Sequence, residues 1–318
     1  MSYTLILNSS NVIGNNNTEY KYTFNSSFTV EEDSQISVSQ VILPYSFFNI
    51  NSTFYNNAMF KYIWYYGNGS SVTYTVNISS GFYQVSDINQ FLELFMISQN
   101  QYFTNTSTGQ NLHYISLSTN STYYANQIIC NVLPTSLPTG YTAPTAGFNF
   151  NNSVNYGYCN SGYAYTPSII IPSYISIYGI GSFLGFTAGT YPSTLKTSSY
   201  NVLSNITPNS SPVNSIVMTC NLVNNEINTN STILDSFPIN STFGSNITYY
   251  PTFPKWIKLN SGNYNSLTIT LYDQNFRSIV AQDNNCLIAL LFKQGSKNIS
   301  PSISNIKIKK LFNNDDEE

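Results

Sequence analysis

The sequence predicts an all-β protein, and three observations carry that reading. Short apolar runs, alternating or continuous, are rich in β-branched and aromatic residues. Clusters of Asn, Gly, Ser and Pro separate them. Only one stretch changes its spacing from strand-like to helical. Candidate strands are Tyr3 to Leu7, Tyr20 to Val30, Gln35 to Leu43, Met59 to Tyr65, Val72 to Ile78, His113 to Leu117 and Tyr123 to Val132. Later ones are Ser168 to Ile177, Ser215 to Leu222, Ser245 to Tyr250, Lys255 to Leu259, Leu267 to Tyr272 and Cys286 to Phe292.

The exception runs from Asp87 to Gln99. Ile88, Phe91, Leu92, Phe95 and Met96 recur at three- and four-residue spacing, which puts them on one helical face, and Ser86 offers an N-capping oxygen. One short helix over about 86–99 is therefore expected, with Phe91 and Phe95 packed on the body. A second helical turn is indicated at Ile180 to Phe186, interrupted by glycines. The loosest region is Pro134 to Pro167, where Pro and Gly recur without apolar periodicity; a long loop insertion is expected there.

Ile216, Val217, Leu267, Ile269, Leu271, Leu287, Ile288 and Leu290 are the expected interior or its flanking packed faces. The continuous run CLIALLF, from Cys286 to Phe292, implies a strand covered on both sides.

Composition narrows the function. Of 318 residues 42% are hydrophobic, enough for a large core, but only 8% are charged, against about a quarter in ordinary globular proteins. The surface is therefore mainly Asn, Ser, Thr and Tyr, which desolvate at lower cost than ions and suit permanent packing against neighbours. A net charge of −3 argues against a large sequence-independent nucleic-acid face. The one basic cluster, Lys307, Lys309 and Lys310, is followed at once by Asp315, Asp316, Glu317 and Glu318, giving a charged C-terminal tail over 307–318.

Parts for catalysis are scarce. Nucleophilic catalysis of the Ser/His or Cys/His kind needs a histidine, and the single His113 opens a strand, where a packed or loop-edge imidazole is the expectation. The densest acidic group, Glu31, Glu32 and Asp33, reads as a solvated hairpin tip, because no Gly-spaced loop of oxygen donors surrounds it. Asp87 is explained by the helix start and Asp273 by a turn. Arg277, the only arginine, either fixes that turn by pairing with Asp273 or Asp283 or makes a contact between subunits. Cys130, Cys159, Cys220 and Cys286 have no metal-ligand spacing, and Cys220 and Cys286 read as small core residues. No catalytic, cofactor-binding or metal residue is assigned.

Sequons at Asn8, Asn25, Asn51, Asn77 and Asn120 arise in a chain rich in Asn and Ser. The start MSYTLILNSS lacks the basic n-region and long apolar stretch of a secretory signal, so assembly in the host cytoplasm is expected. No run reaches the roughly 18 apolar residues of a membrane span.

Several segments taken in order carry a family resemblance. These are ISVSQVILPYSFFNINSTFYNN (Ile36 to Asn57), VTYTVNISSGFYQVSDINQFLELFM (Val72 to Met96), SIVMTCNLVNNEI, DSFPINSTFGSNITYYPTFPKWIKLN, YNSLTITLYDQNFRSI and NCLIALLF. Together they resemble the single jelly-roll minor capsid protein of polintons, virophages and polinton-like viruses. The resemblance implies a jelly-roll β-sandwich spanning 1–306 as one domain. It further implies a virion structural protein that forms the pentameric vertex, or penton, of an icosahedral shell beside major capsid protein capsomers. Two rival readings remain: a receptor- or glycan-binding spike module of a virion, which the many tyrosines also suit, and the major capsid protein itself.

Overall fold

The computed structural model describes residues 2–65, 71–131, 137–147, 169–171, 180–191, 199–226 and 230–295. The charged tail, Cys159 and most of 134–167 lie outside the described residues.

The chain opens with β1 (Ser2–Asn8), the short β2 (Val12–Ile13), β3 (Glu19–Val30) and β4 (Gln35–Pro44). Residues 45–214, about half of the sequence, then intervene. The chain returns as β15 (Ser215–Cys220), β16 (Ile233–Pro238), β17 (Asn246–Tyr249), β18 (Ile257–Lys258), β19 (Gly262–Asp273) and β20 (Leu287–Lys293). Between them lie β5 (Met59–Tyr65), β6 (Ser71–Asn77), β7 (Phe103–Asn105), β8 (Asn111–Leu112), β9 (Ile115–Asn120), β10 (Ala125–Cys130) and β11 (Tyr141–Thr142). They are followed by β12 (Ile169–Ile171), β13 (Gly189–Tyr191) and β14 (Tyr200–Leu203). The helices are α1 (Val85–Ser98) and α2 (Ile180–Leu184).

One sheet has the order β1-β20-β4-β17, with β18 also on β4; the other has the order β16-β15-β19-β3-β2. Numbering the eight principal strands along the chain, these orders are 1-8-3-6 and 5-4-7-2, with every pairing antiparallel. Connections therefore cross from sheet to sheet except between the fourth and fifth strands. That order is the jelly-roll, in which two Greek keys wrap into facing sheets. The facing sides fill with Ile36, Val38, Val41, Leu43, Ile288 and Leu290 from one sheet and Ile216, Met218, Leu267, Ile269, Leu271 and Phe237 from the other, all buried.

A bulge in β4 makes this interior possible. Ala289 pairs with Gln40 but Leu290 pairs with Val38, so Ser39 is an extra residue. It shifts the two-residue alternation by one, which lets Ile36 and Val38 before it and Val41 and Leu43 after it all point inward.

Residues 45–214 connect the third and fourth sandwich strands and carry an apolar cluster of their own. Phe60, Tyr62 and Trp64 of β5, Ile88, Leu92 and Met96 of α1, and Ile115 and Ile128 of the β9–β10 hairpin meet there. Helix α1 starts two residues earlier than 87. Its N-cap is Gln84, whose backbone N–H donates to Asp87 Oδ2 at 2.7 Å, so Ser86 lies in the first turn and is not the cap. The acid at the third helical position wins because it both reaches back to the free N–H and complements the helix dipole. Phe91 and Phe95 are half-buried against the cluster and flank the fully buried line of Val85, Ile88, Leu92 and Met96. Short α2 ends at Gly185, which has φ +83°; a Cβ there would meet the Ile206 carbonyl oxygen at 2.6 Å, so glycine is required twice over.

Candidate assembly surface

Strand β20 lies between β1 and β4, and its alternation divides the run Leu287–Lys293 between two faces. Ile288, Leu290 and Phe292 enter the core. Leu287 and Leu291 are only half-buried on the outer face, so Leu287 does not line the interior, and CLIALLF is covered fully on one side alone. The cause is topological: among the described residues no second sheet stacks over the outer face, although Ala289 and Ser37 on that side are buried. Cross-strand rows there read Asn8-Leu287-Ile42 and Ile6-Ala289-Gln40. Ile6 is 54% exposed. None of these positions carries a charge, so the face is an apolar strip with neutral amides beside it, closed at one end by the exposed Lys293.

At the margin of the strip, Gln40 Nε2 donates to the Tyr250 hydroxyl at 2.8 Å. Tyr250 begins a segment with further exposed aromatic surface: Phe253 is 78% exposed. The base of this segment is pinned. Buried Asp235 accepts from the Tyr249 hydroxyl and from Lys255 Nζ, each at 2.8 Å, and Phe237 stacks on Tyr249 with ring centroids 4.8 Å apart. Phe243 stacks on Phe82 at 4.3 Å, which brings the loop before β17 against the segment that leads into α1.

The junction where the chain leaves the sandwich is a buried amide network that sequence reasoning missed. Asn49, 2% exposed, donates from Nδ2 to the carbonyls of Tyr83 and Ser210, at 2.7 and 2.8 Å, and accepts from the Tyr83 N–H. Asn57 Nδ2 in turn donates to the Asn49 carbonyl at 2.7 Å. In a chain with Asn at so many exposed positions, no local pattern marks these two.

The residues singled out from the sequence do not converge. His113 sits between β8 and β9, half-buried, and burial holds its pKa below the ordinary value, with Glu93 opposing that shift. The Glu31, Glu32 and Asp33 segment is no hairpin tip, because β3 and β4 belong to opposite sheets. It is a crossover turn in which Asp33, at φ 60°, lies 3.5 Å from Lys258 Nζ. Arg277 pairs with Asp273, through Nη2 at 2.6 Å and Nε at 2.8 Å, rather than with Asp283. Cys130 and Cys220 are buried, with thiol pKa values pushed up to about 12 by burial; Cys286 is half-buried against the sandwich core. Among the described residues, no three His, Cys, Asp or Glu side chains gather where a metal ion would sit, and no helix is long and apolar enough to cross a membrane.

No family model matches the chain, and no curated protein matches it. Solved structures do. The chain is similar to the mavirus penton protein, at 12% identity over 92% of this chain and 99% of that one, with a TM-score of 0.42. It is also similar to a chain of the Sputnik virophage as solved by cryo-EM, at 13% identity over 92% and 96%, with a TM-score of 0.40. The jelly-roll assignment itself rests on the strand orders given above.

Proposed function

We propose that this chain is a virion structural protein: a minor capsid protein, five copies of which close the five-fold vertex of an icosahedral shell among major-capsid capsomers. The observation that carries the reading is the uncharged apolar strip of Ile6, Ile42, Leu287 and Leu291 on the outer face of a jelly-roll sheet. A sheet face of this kind is covered by a neighbour in an assembly, and the neutral residues along most of its border, with Lys293 at one end, keep the desolvation cost of that contact low. The multi-segment resemblance from Ile36 to Phe292 supports the vertex position, and a head-to-tail ring of identical subunits closes on itself at such a position.

In this reading 1–306 is one capsid domain and 307–318 a tail. The protein works through assembly without catalysis, is put together in the host cytoplasm and resides in the virion. The test is an icosahedral reconstruction of the particle. Density for this chain at the five-fold axes is the expected result. Density only between hexameric capsomers discards the vertex position, and absence from the particle overturns the reading altogether.

A further inference from the structure

A cavity of about 390 Å³ opens where three segments meet: residues 82–85, which lead into the first residue of α1, the tip of the β9–β10 hairpin at 119–126, and the returning chain at 208–211. We propose that it binds a neutral saccharide. The volume is in the usual range for small-molecule sites. Among the described residues its walls hold no Lys, Arg, His, Asp or Glu, so a phosphate or carboxylate group would enter without a counter-charge, and the nearby Asp87 carboxylate, behind Gln84, would oppose it. What the walls offer is an aromatic surface from Phe82, Tyr83 and Tyr124 beside the amides of Asn120 and Asn126 and the hydroxyls of Ser121 and Ser210. A hexose presents the complement: a C–H face that stacks on an aromatic ring and a rim of hydroxyls that pair with amides and alcohols.

Tyr124 supplies an independent observation. It occupies the left-handed region, φ 48° and ψ 48°, at the end of the hairpin tip. For a tyrosine this costs roughly 1–2 kcal/mol; Gly would turn the chain there without the cost and Asn at less of it. The ring gains no burial in return, being 78% exposed. Its position on the cavity rim gives the strained conformation a purpose, in the sense in which such outliers gather at binding sites. The remaining walls are held rigidly. Buried Asn126 donates from Nδ2 to the Leu184 carbonyl at 3.1 Å and from its backbone to Ser204 Oγ, and the Tyr83 backbone is fixed by Asn49.

All of these walls belong to one chain, so binding does not require assembly. The experiment is saturation-transfer NMR on the purified full chain with glucose, galactose, mannose and N-acetylglucosamine, with sialic acid as the charged comparison, followed by titration of any binder. At least one neutral sugar is expected to receive saturation and sialic acid to receive less. Tyr124→Ala is expected to weaken that binding about tenfold, the loss of one stacking contact, while Tyr124→Phe keeps it. No transfer to any neutral sugar, sialic acid bound as well as they are, or Tyr124→Ala at full affinity with an unchanged circular dichroism spectrum would each overturn the assignment.

Discussion

Asn49 and Tyr83 are joined twice: the Asn49 Oδ1 accepts from the Tyr83 N–H at 2.8 Å, and its Nδ2 donates to the Tyr83 carbonyl at 2.7 Å. One side chain thus imitates a paired strand residue, at the point where the chain leaves the sandwich. Its remaining Nδ2 proton goes to Ser210, on the segment that returns. The exit and re-entry of residues 45–214 are therefore fastened by a single amide.

Asn49→Ala should accordingly destabilise the protein by about 1–3 kcal/mol, because it removes the partner of a part-buried N–H and of two part-buried carbonyls at once. Asn49→Asp should be no better, since a carboxylate would face both carbonyls. A urea midpoint equal to that of the unmodified chain would show that the junction is held by other contacts.

In the sandwich, Leu290→Ala and Leu271→Ala should each cost about 2–5 kcal/mol, as both side chains are buried between the sheets. Leu287→Ala, on the outer face, should cost clearly less in the isolated chain. Thermal unfolding of the three variants side by side checks the order; equal losses would place Leu287 inside.

Asp273 is 2% exposed and accepts from the Arg277 side chain and from the backbone N–H groups of Asn275 and Arg277. Asp273→Ala should cost about 3–5 kcal/mol, since it removes the buried carboxylate that a partly buried guanidinium and two turn N–H groups share. Asp273→Asn keeps acceptors for the turn and should cost less. Chemical denaturation of both variants measures the difference, and identical losses would mean that the charge carries the whole effect.

His113 gives the protein a pH dependence of definite sign. Burial lowers its folded pKa below the unfolded value of about 6.5, so protonation favours the unfolded chain. Its contribution is complete above that pH and is lost as the pH falls from about 6.5 toward the folded value. Stability measured from pH 7.5 down to pH 5 should show a decline that His113→Gln reduces. An unchanged decline would assign it to other groups.

Much of the sandwich was legible because its strands carry the two-residue period on their own: Leu267, Ile269 and Leu271 alternate inward without a break. The helix was legible for the same reason, with Ile88, Leu92 and Met96 one turn apart. Two things were not. The extra Ser39 in β4 changes the parity of a strand only through its partner β20, far away in sequence. The role of CLIALLF depended on what stacks over each face, and an apolar run states only that both faces are apolar. The cavity was hidden too, since Phe82, Tyr124 and Ser210 meet only in three dimensions.

The pairing of the first strand with the last, Ser2 opposite Lys293, sets a schedule for synthesis. The first sheet cannot close until the ribosome has delivered β20, so β1 waits while everything between the two strands is made. Residues 45–214, with an apolar cluster of their own, emerge long before that and have the means to condense first. The nascent chain would thus hold a condensed middle before its sandwich exists, with the outer apolar strip assembled only when β20 joins β1 and β4.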